Sequence, residues 1–423
     1  MLALGIVSAS VHAEDYLATP QDYREVLGRL QPGDALVLAP GRYYDNLPLH
    51  DLAGTAAQPI TIRGSSGPEP TTFVARDGAN TVSLKDSAYL IVDALVLDGY
   101  GREADAVKAE SSSKSVHHIT LSRLTIINYD LDQATVGISA HCATWGWIIR
   151  DNVIDGAGTG LYLGRSDGTA PFVGGLIEGN VVRNTKGYNL QIKHQIAREA
   201  LPGMPRDRQE TVIRNNVFVK SQGAAEAQSA RPNVLVGHFP PSGLGSTDTY
   251  VIYANLFYDN PTEALFQGEG NTTLYNNVFV NPRGAAVHIQ PHNGRPRHVQ
   301  FFHNTVVARD AGVHITGVEQ GHHPLVFGNA VFSNQPASIA LFARDNTAMS
   351  WAQARDHLRA PFLEPPALDV SPKEDALIGS HAVMHSSVLH LPGWDLDFDG
   401  VRRERNVAGA FTHRQHGRPL DIE

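Results

Sequence analysis

Short alternations of apolar and polar residues recur along most of the chain, and helix-like spacing is confined to two segments near its ends. The segments RDNVIDGAGTGLYLGR, EGNVVRNTKGYNLQIKH, YANLFYDNPTEALFQGE, YNNVFVNPRGAAVHIQ and FHNTVVARDAGVHIT follow one plan. An Asn leads into a β-branched strand, a turn follows, and a second apolar strand begins about eight or nine residues after the Asn, the period-2 signature of β structure. The repeated Asn positions are 152, 180, 216, 255, 277, 304 and 329, with Asn128 and Asp98 continuing the series upstream. Spacings of 22 to 39 residues indicate a solenoid. Without helix signals in the repeats, the predicted architecture is all-β: a single-stranded right-handed parallel β-helix. Asn suits its corners because it accepts left-handed backbone angles and bonds local backbone. Stacked Asn side chains can also bond from coil to coil.

The two longest spacings hold IAREALPGMPRDRQ and FPPSGLGSTDTY, rich in Pro, Gly and charge, which predict loops projecting from one face. Insertions in repeat proteins gather on the binding face. TPQDYREVLGRL predicts an N-terminal capping helix, and MSWAQARDHLRAP another short helix after the last coil. The expected division is a leader over residues 1–13, the β-helix over 14–345, and an irregular capping tail over 346–423. The leader reading rests on the apolar MLALGIVSASVHA, with small residues at its end. It implies a periplasmic or secreted protein. No later run is long and apolar enough for a membrane span.

Composition narrows the function. The net charge of −9 argues against nucleic acid as a partner. The single cysteine, Cys142, excludes an internal disulfide framework and a cysteine zinc cluster. The 20 histidines call for an explanation.

QPGDALVLAPGRYYDN, followed by GTAAQPITIRG, resembles the opening of the polysaccharide lyase family that contains chondroitinase B and alginate lyases. LDFDGVRRERNVAGAF resembles the closing motif of many secreted β-helix proteins. The resemblance implies the same fold and a lyase acting on an acidic polysaccharide or oligosaccharide. The family's catalytic lysine lies on a strand of this kind, and Lys193 in YNLQIKHQ is the positional match. The family's central motif, an Arg after a Glu-Thr-Ile run, is absent.

Aligning strands by distance from each Asn gives a candidate site. The pairs Leu161/Leu163, Leu190/Ile192, Val234/Val236 and Val287/Ile289 point inward; Tyr162, Gln191, Lys193, His288 and Gln290 point outward. Arg165, His194, His238, Glu269 and His292 fall at strand ends in successive coils, along a groove about 20 Å long. β-Elimination from a uronate needs a cation for the carboxylate, a base, and an acid for the leaving oxygen. Arg165 suits the first role. Lys193, His194 or His238 suits the second, and Tyr162 or a histidine the third. Gln191, Arg231, Gln267, His288, Gln290 and His292 are the candidate substrate-binding residues. Glu269 either orients a histidine or ligates a metal, with Ca2+ the only cofactor implied. Zinc on His194, His238 and His292 would require bridging three coils. A hydrolase would need a second carboxylate near Glu269, from Asp167 or Glu226 in loops. An epimerase would share the proton abstraction. A non-catalytic sugar-binding module would look to Trp145 and Trp147.

Overall fold

The computed structural model describes residues 13–423 except 111, 114, 336–344, 380–385, 405, 413–419, 421 and 423. Residues 1–12 of the expected leader therefore lie outside the described residues.

Each coil contributes one strand to each of three parallel sheets, here called first, second and third in chain order. In one coil the strands are Ile148–Arg150, Val153–Ala157 and Thr159–Leu163; in the next, Leu176–Glu178, Val181–Arg183 and Leu190–Ile192. Successive coils pair in parallel register, as in Ile149 opposite Ile177 and Leu161 opposite Leu190. The alternation in each strand sends one set of side chains inside. Inward residues of all three sheets join one continuous core, and every inward residue expected from the Asn offset is fully buried there. Within it Phe218, Phe257 and Phe279 stack in file, with centroid separations of 5.4 and 4.5 Å.

The Asn positions form a ladder at the corner between the first and second sheets. The Asn152 amide donates to the Asn180 carbonyl oxygen at 2.8 Å, and the same bond repeats through Asn216, Asn255, Asn277, Asn304 and Asn329 to Asn346. Each side-chain oxygen also accepts the backbone N–H of the previous rung, at 2.9–3.1 Å. The left-handed conformation belongs to the residue before each rung, as in Asp151, Asn215, Ala254 and Asn276. The Asn is thus selected for its hydrogen bonds rather than for its backbone angles. The upstream extension is corrected. Asn128 donates to Asp98, but both lie within second-sheet strands, and Leu124 occupies the corner before Asn152. Downstream, Asn346 adds a rung that the sequence reading missed.

The helix Tyr23–Leu27 closes the N-terminal end, burying Tyr23 edge-on against Tyr43 and Phe73. The short helix expected after the last coil spans Ala354–His357. The C-terminal tail is irregular and packs on the outside. Val388 and Leu391 cover the first-sheet stack of Tyr275, Phe302 and Phe327. Leu358, Leu368, Val370 and Phe411 cover second-sheet residues such as Tyr258, Val280 and Phe332. Asp397 accepts bonds from the 399, 401 and 412 backbone N–H groups, and Arg403 donates to Asn276, which ties the closing motif to a ladder corner. Among the described residues, neither tail cluster includes the third sheet. Its outer face is left uncovered by the tail clusters among the described residues.

Candidate functional site

The third sheet's register places Tyr162, Gln191, Leu235, Gln267, His288 and His314 in one outward file. A parallel file runs two residues later through His141, Gly164, Lys193, Gly237, Glu269 and Gln290. It is fixed by backbone bonds such as Lys193 N–H to Leu163, Gly237 N–H to Ile192 and Glu269 N–H to Val236. Neighbouring members are about 4.8 Å apart. The sequence reading therefore brought Tyr162, Gln191, Lys193, Gln267, His288 and Gln290 to one face. Glu269 stands in the file of Lys193 rather than in that of His194 and His238. Leu235 interrupts the polar file, and Gln191 is covered by its neighbours.

Lys193 has a glycine in the coil on either side. A Cβ at Gly164 would meet the Lys193 Cβ at 3.3 Å, and one at Gly237 would lie 2.3 Å from the His194 backbone nitrogen. The glycines let the coils close up and leave lateral space around the ammonium group. Replacing Gly237 by alanine is expected to push the coils apart beneath Lys193 and His194, costing about 1–3 kcal/mol of stability. Thermal melting of Gly237→Ala checks this, and an unchanged Tm would contradict the close approach.

The Lys193 Nζ stands 5.3 Å from the centroid of the Tyr162 ring, within cation–π range. Burial lowers the Lys193 pKa; Glu269 opposes that shift and the Arg231 cation adds to it. Burial raises the Tyr162 pKa, against a Ser166 hydrogen bond, so its hydroxyl stays protonated. His194 and His238 are both lowered by burial and so are biased to the neutral form. Gly168 packs on the ring of His194 and Gly294 on that of His238, whose Nε2 lies 3.3 Å from the Arg295 carbonyl.

Glu269 is buried, and its carboxylate accepts the Asn293 backbone N–H at 2.9 Å and side-chain amide at 3.2 Å. It thereby pins the turn that carries His292. Among the described residues no three His, Cys, Asp or Glu side chains converge as a metal site. Arg165 is half exposed and lies 3.5 Å from Asp167, at the margin of the sheet. Glu226 is exposed on the far turn. Trp147 is in the core and Trp145 is buried on the first sheet's outer side, so neither offers a sugar platform.

Both expected insertions, 196–209 and 239–250, lie on the edge between the third and first sheets, although the last two residues of the second already belong to the strand Thr249–Tyr253. Two arginines organise them. Arg198 forms a buried ion pair with Asp248, and Arg297 donates to the carbonyls of Phe239, Pro240 and Pro241. A third insertion, 220–232, walls the opposite edge. There the buried Lys220 and Asn260 both donate to the Arg231 carbonyl, at 2.7 and 2.9 Å. Arg231, Tyr188, Glu263, Gln267, Glu269 and His292 enclose a pocket of about 180 Å³. The sequence reading missed Tyr188 and Glu263. Tyr188 opens the predicted strand YNLQIKHQ, a position from which it was findable; Glu263 had no signal.

Residues 136–350, just over half the chain, match the family described as "Right handed beta helix region". The chain belongs to this family. No curated protein sequence matches it. Among solved structures, it is similar to the PL6 family alginate lyase AlyGC, at 15% identity over 77% of this chain and 48% of that one, with a TM-score of 0.41. An alginate lyase from Paenibacillus sp. str. FPU-7 is 17% identical over 72% and 99% of the two chains, with a TM-score of 0.41. The GH136 lacto-N-biosidase from Eubacterium ramulus is 13% identical over 74% and 68%, with a TM-score of 0.43. The chain thus spans about half the length of AlyGC. Among the described residues no helix is long and apolar enough to cross a membrane.

Proposed function

We propose that this protein is a polysaccharide lyase that cleaves a uronic-acid polymer by β-elimination in the groove on the third sheet. The observation that carries the reading is the setting of Lys193. It is a half-buried lysine with its pKa lowered, flanked by glycines, over a protonated tyrosine and beside a pocket with an arginine on its wall. In this account a uronate ring enters the pocket with its carboxylate on Arg231 and its hydroxyls on Gln267, Gln290 and His292. Neutralising the carboxylate acidifies the adjacent C5–H bond. Neutral Lys193 removes that proton, the C4–C5 double bond forms, and the C4–O bond breaks. Tyr162 supplies a proton to the leaving oxygen. Arg231 takes the carboxylate role first expected of Arg165, whose own position places it at the groove's margin. A polymer substrate fits a periplasmic or secreted location.

Glycoside hydrolysis is a second reading, favoured by one observation: Glu263 joins Glu269 in the pocket. Both Glu269 oxygens, however, are engaged by Asn293. Products separate the two reactions. Elimination raises ultraviolet absorbance through an unsaturated uronate, whereas hydrolysis gives reducing ends alone.

The pH profile follows from the same setting. Lys193 is inactive while protonated, so kcat/KM rises with pH and levels off above its pKa. Burial puts that plateau below the ordinary lysine range. Glu269 raises the Lys193 pKa, so Glu269→Gln is expected to move the rising limb to lower pH. A profile measured on both proteins that shows no shift, or a shift upward, argues against Lys193 as the base.

A further inference from the structure

A second groove lies outside the third sheet. It runs along the outer face of the first sheet, between the loops at the first sheet's entry and the tail around Ser387–Leu391, and has a volume of about 1020 Å³. That is at the upper end of the size of small-ligand sites. Its floor is polar: the Thr273 hydroxyl donates to the Gln300 carbonyl oxygen at 3.0 Å, and the Gln300 amide reaches Ser387 at 3.5 Å.

One wall carries basic side chains. Arg208, Arg297, His298, His322 and His323 converge there, and His390 faces them from the tail. The His298 and His322 rings meet edge to face at 4.8 Å. Arg297 is held in place by three loop carbonyls, so its guanidinium is fixed before any ligand arrives. Asp248, which also lines the groove, is committed to the buried Arg198. Arg208 meets Glu210 at 3.1 Å in an exposed pair, the kind an incoming carboxylate can displace, and Glu319 lies 4.0 Å from Arg297. His298 is lowered first by burial and then by His322, Arg297 and Arg208, with no acid acting against them. In a chain of net charge −9 such a convergence is a local exception.

We propose that this groove is a second, non-catalytic binding site for an acidic oligosaccharide. Its carboxylates would meet Arg208 and the His298–His322 pair, with the buried Arg297 a fixed charge behind them, and its hydroxyls Thr273 and Gln300. The site shares the acidic-polymer premise of the proposed function but not its chemistry. It would hold a polymer chain on the first sheet while another stretch, or another chain, occupies the third.

The test is calorimetric titration of the Lys193→Ala protein, which leaves the ligand uncut, with oligouronates and with a neutral oligosaccharide of the same length. Two sites are expected for the oligouronate. Adding His298→Gln and His322→Gln should weaken one of them at least about tenfold and leave the other unchanged. An Arg208→Gln variant with unaltered melting temperature serves as the second probe and should weaken the same site. A single site that weakens in the histidine and Arg208 variants still supports the groove and counts against the third-sheet site alone. No site that weakens on removing the histidines and Arg208, or equal binding of the neutral oligosaccharide, would overturn the proposal. Absorbance assays on the unmodified protein read elimination separately, so loss of the lyase reading does not imitate loss of this site.

Discussion

Replacing Lys193 by alanine should lower elimination by roughly 10³-fold, the ordinary range for removing a general base. The loss should fall on kcat rather than KM, because Arg231, Gln267, Gln290 and His292 still bind the ring. The fold should tolerate the change. Lys193 points outward between two glycines, and its N–H bond to Leu163 is made by the backbone. Steady-state kinetics with a melting curve on the same sample test both parts. His238→Ala is the informative companion. Its ring is packed on Gly294 and lies near the Arg295 carbonyl, which makes it a loop support in this account. If Lys193→Ala and His238→Ala together retained full eliminating activity, the mechanism would be wrong.

The largest structural effect is expected at the middle of the Asn ladder. The Asn255 amide donates to the Ile213 and Tyr253 carbonyls and to Asn277, at 2.8–3.0 Å. Its oxygen accepts both the backbone and side-chain N–H of Asn216, at 2.9 Å. Asn255→Leu is close in size but removes all of these bonds and leaves buried partners unsatisfied on both sides. Each such group costs about 1–3 kcal/mol, and because they share one network the losses do not simply add. A net loss of about 3–5 kcal/mol is expected from these magnitudes. Asn346→Leu, at the last rung among the described residues, should cost clearly less, since no following rung depends on it there. Denaturant unfolding of the two variants tests the ladder; equal losses would mean that rung position is irrelevant.

The fold was readable because its two periodicities are local. The ladder Asn precedes a strand by a fixed offset, and the alternation after it sorts inside from outside. This worked for Leu161, Leu190, Val234 and Val287 and placed Lys193 on the open sheet. It failed upstream for a physical reason: the early corners are filled by Leu95 and Leu124, so Asn128 was matched to a rung it does not occupy. Turns were harder. Asn233 and Asn260 bond side chain to side chain at the second corner, but their differing distances from the strands conceal the pattern. Residues contributed by insertions, such as Glu263, obey no period. Arg231 was named from sequence, but its pinning by Lys220 and Asn260 depends on contacts between coils. Glu269 was read as orienting a histidine or ligating a metal, because a strand end says nothing about the Asn293 turn that folds over it. The second groove is assembled from 208, 297–300, 322 and 390, positions with no common spacing.

The central claim is that the third-sheet groove breaks a uronate chain by elimination. Its most direct test is to count unsaturated uronate ends by ultraviolet absorbance and new reducing ends in the same digest, across a panel of alginate, glucuronan and glycosaminoglycans. The account predicts at least one polymer for which the two rise in equal number. Reducing ends without unsaturation, or neither from any of these polymers, would contradict it.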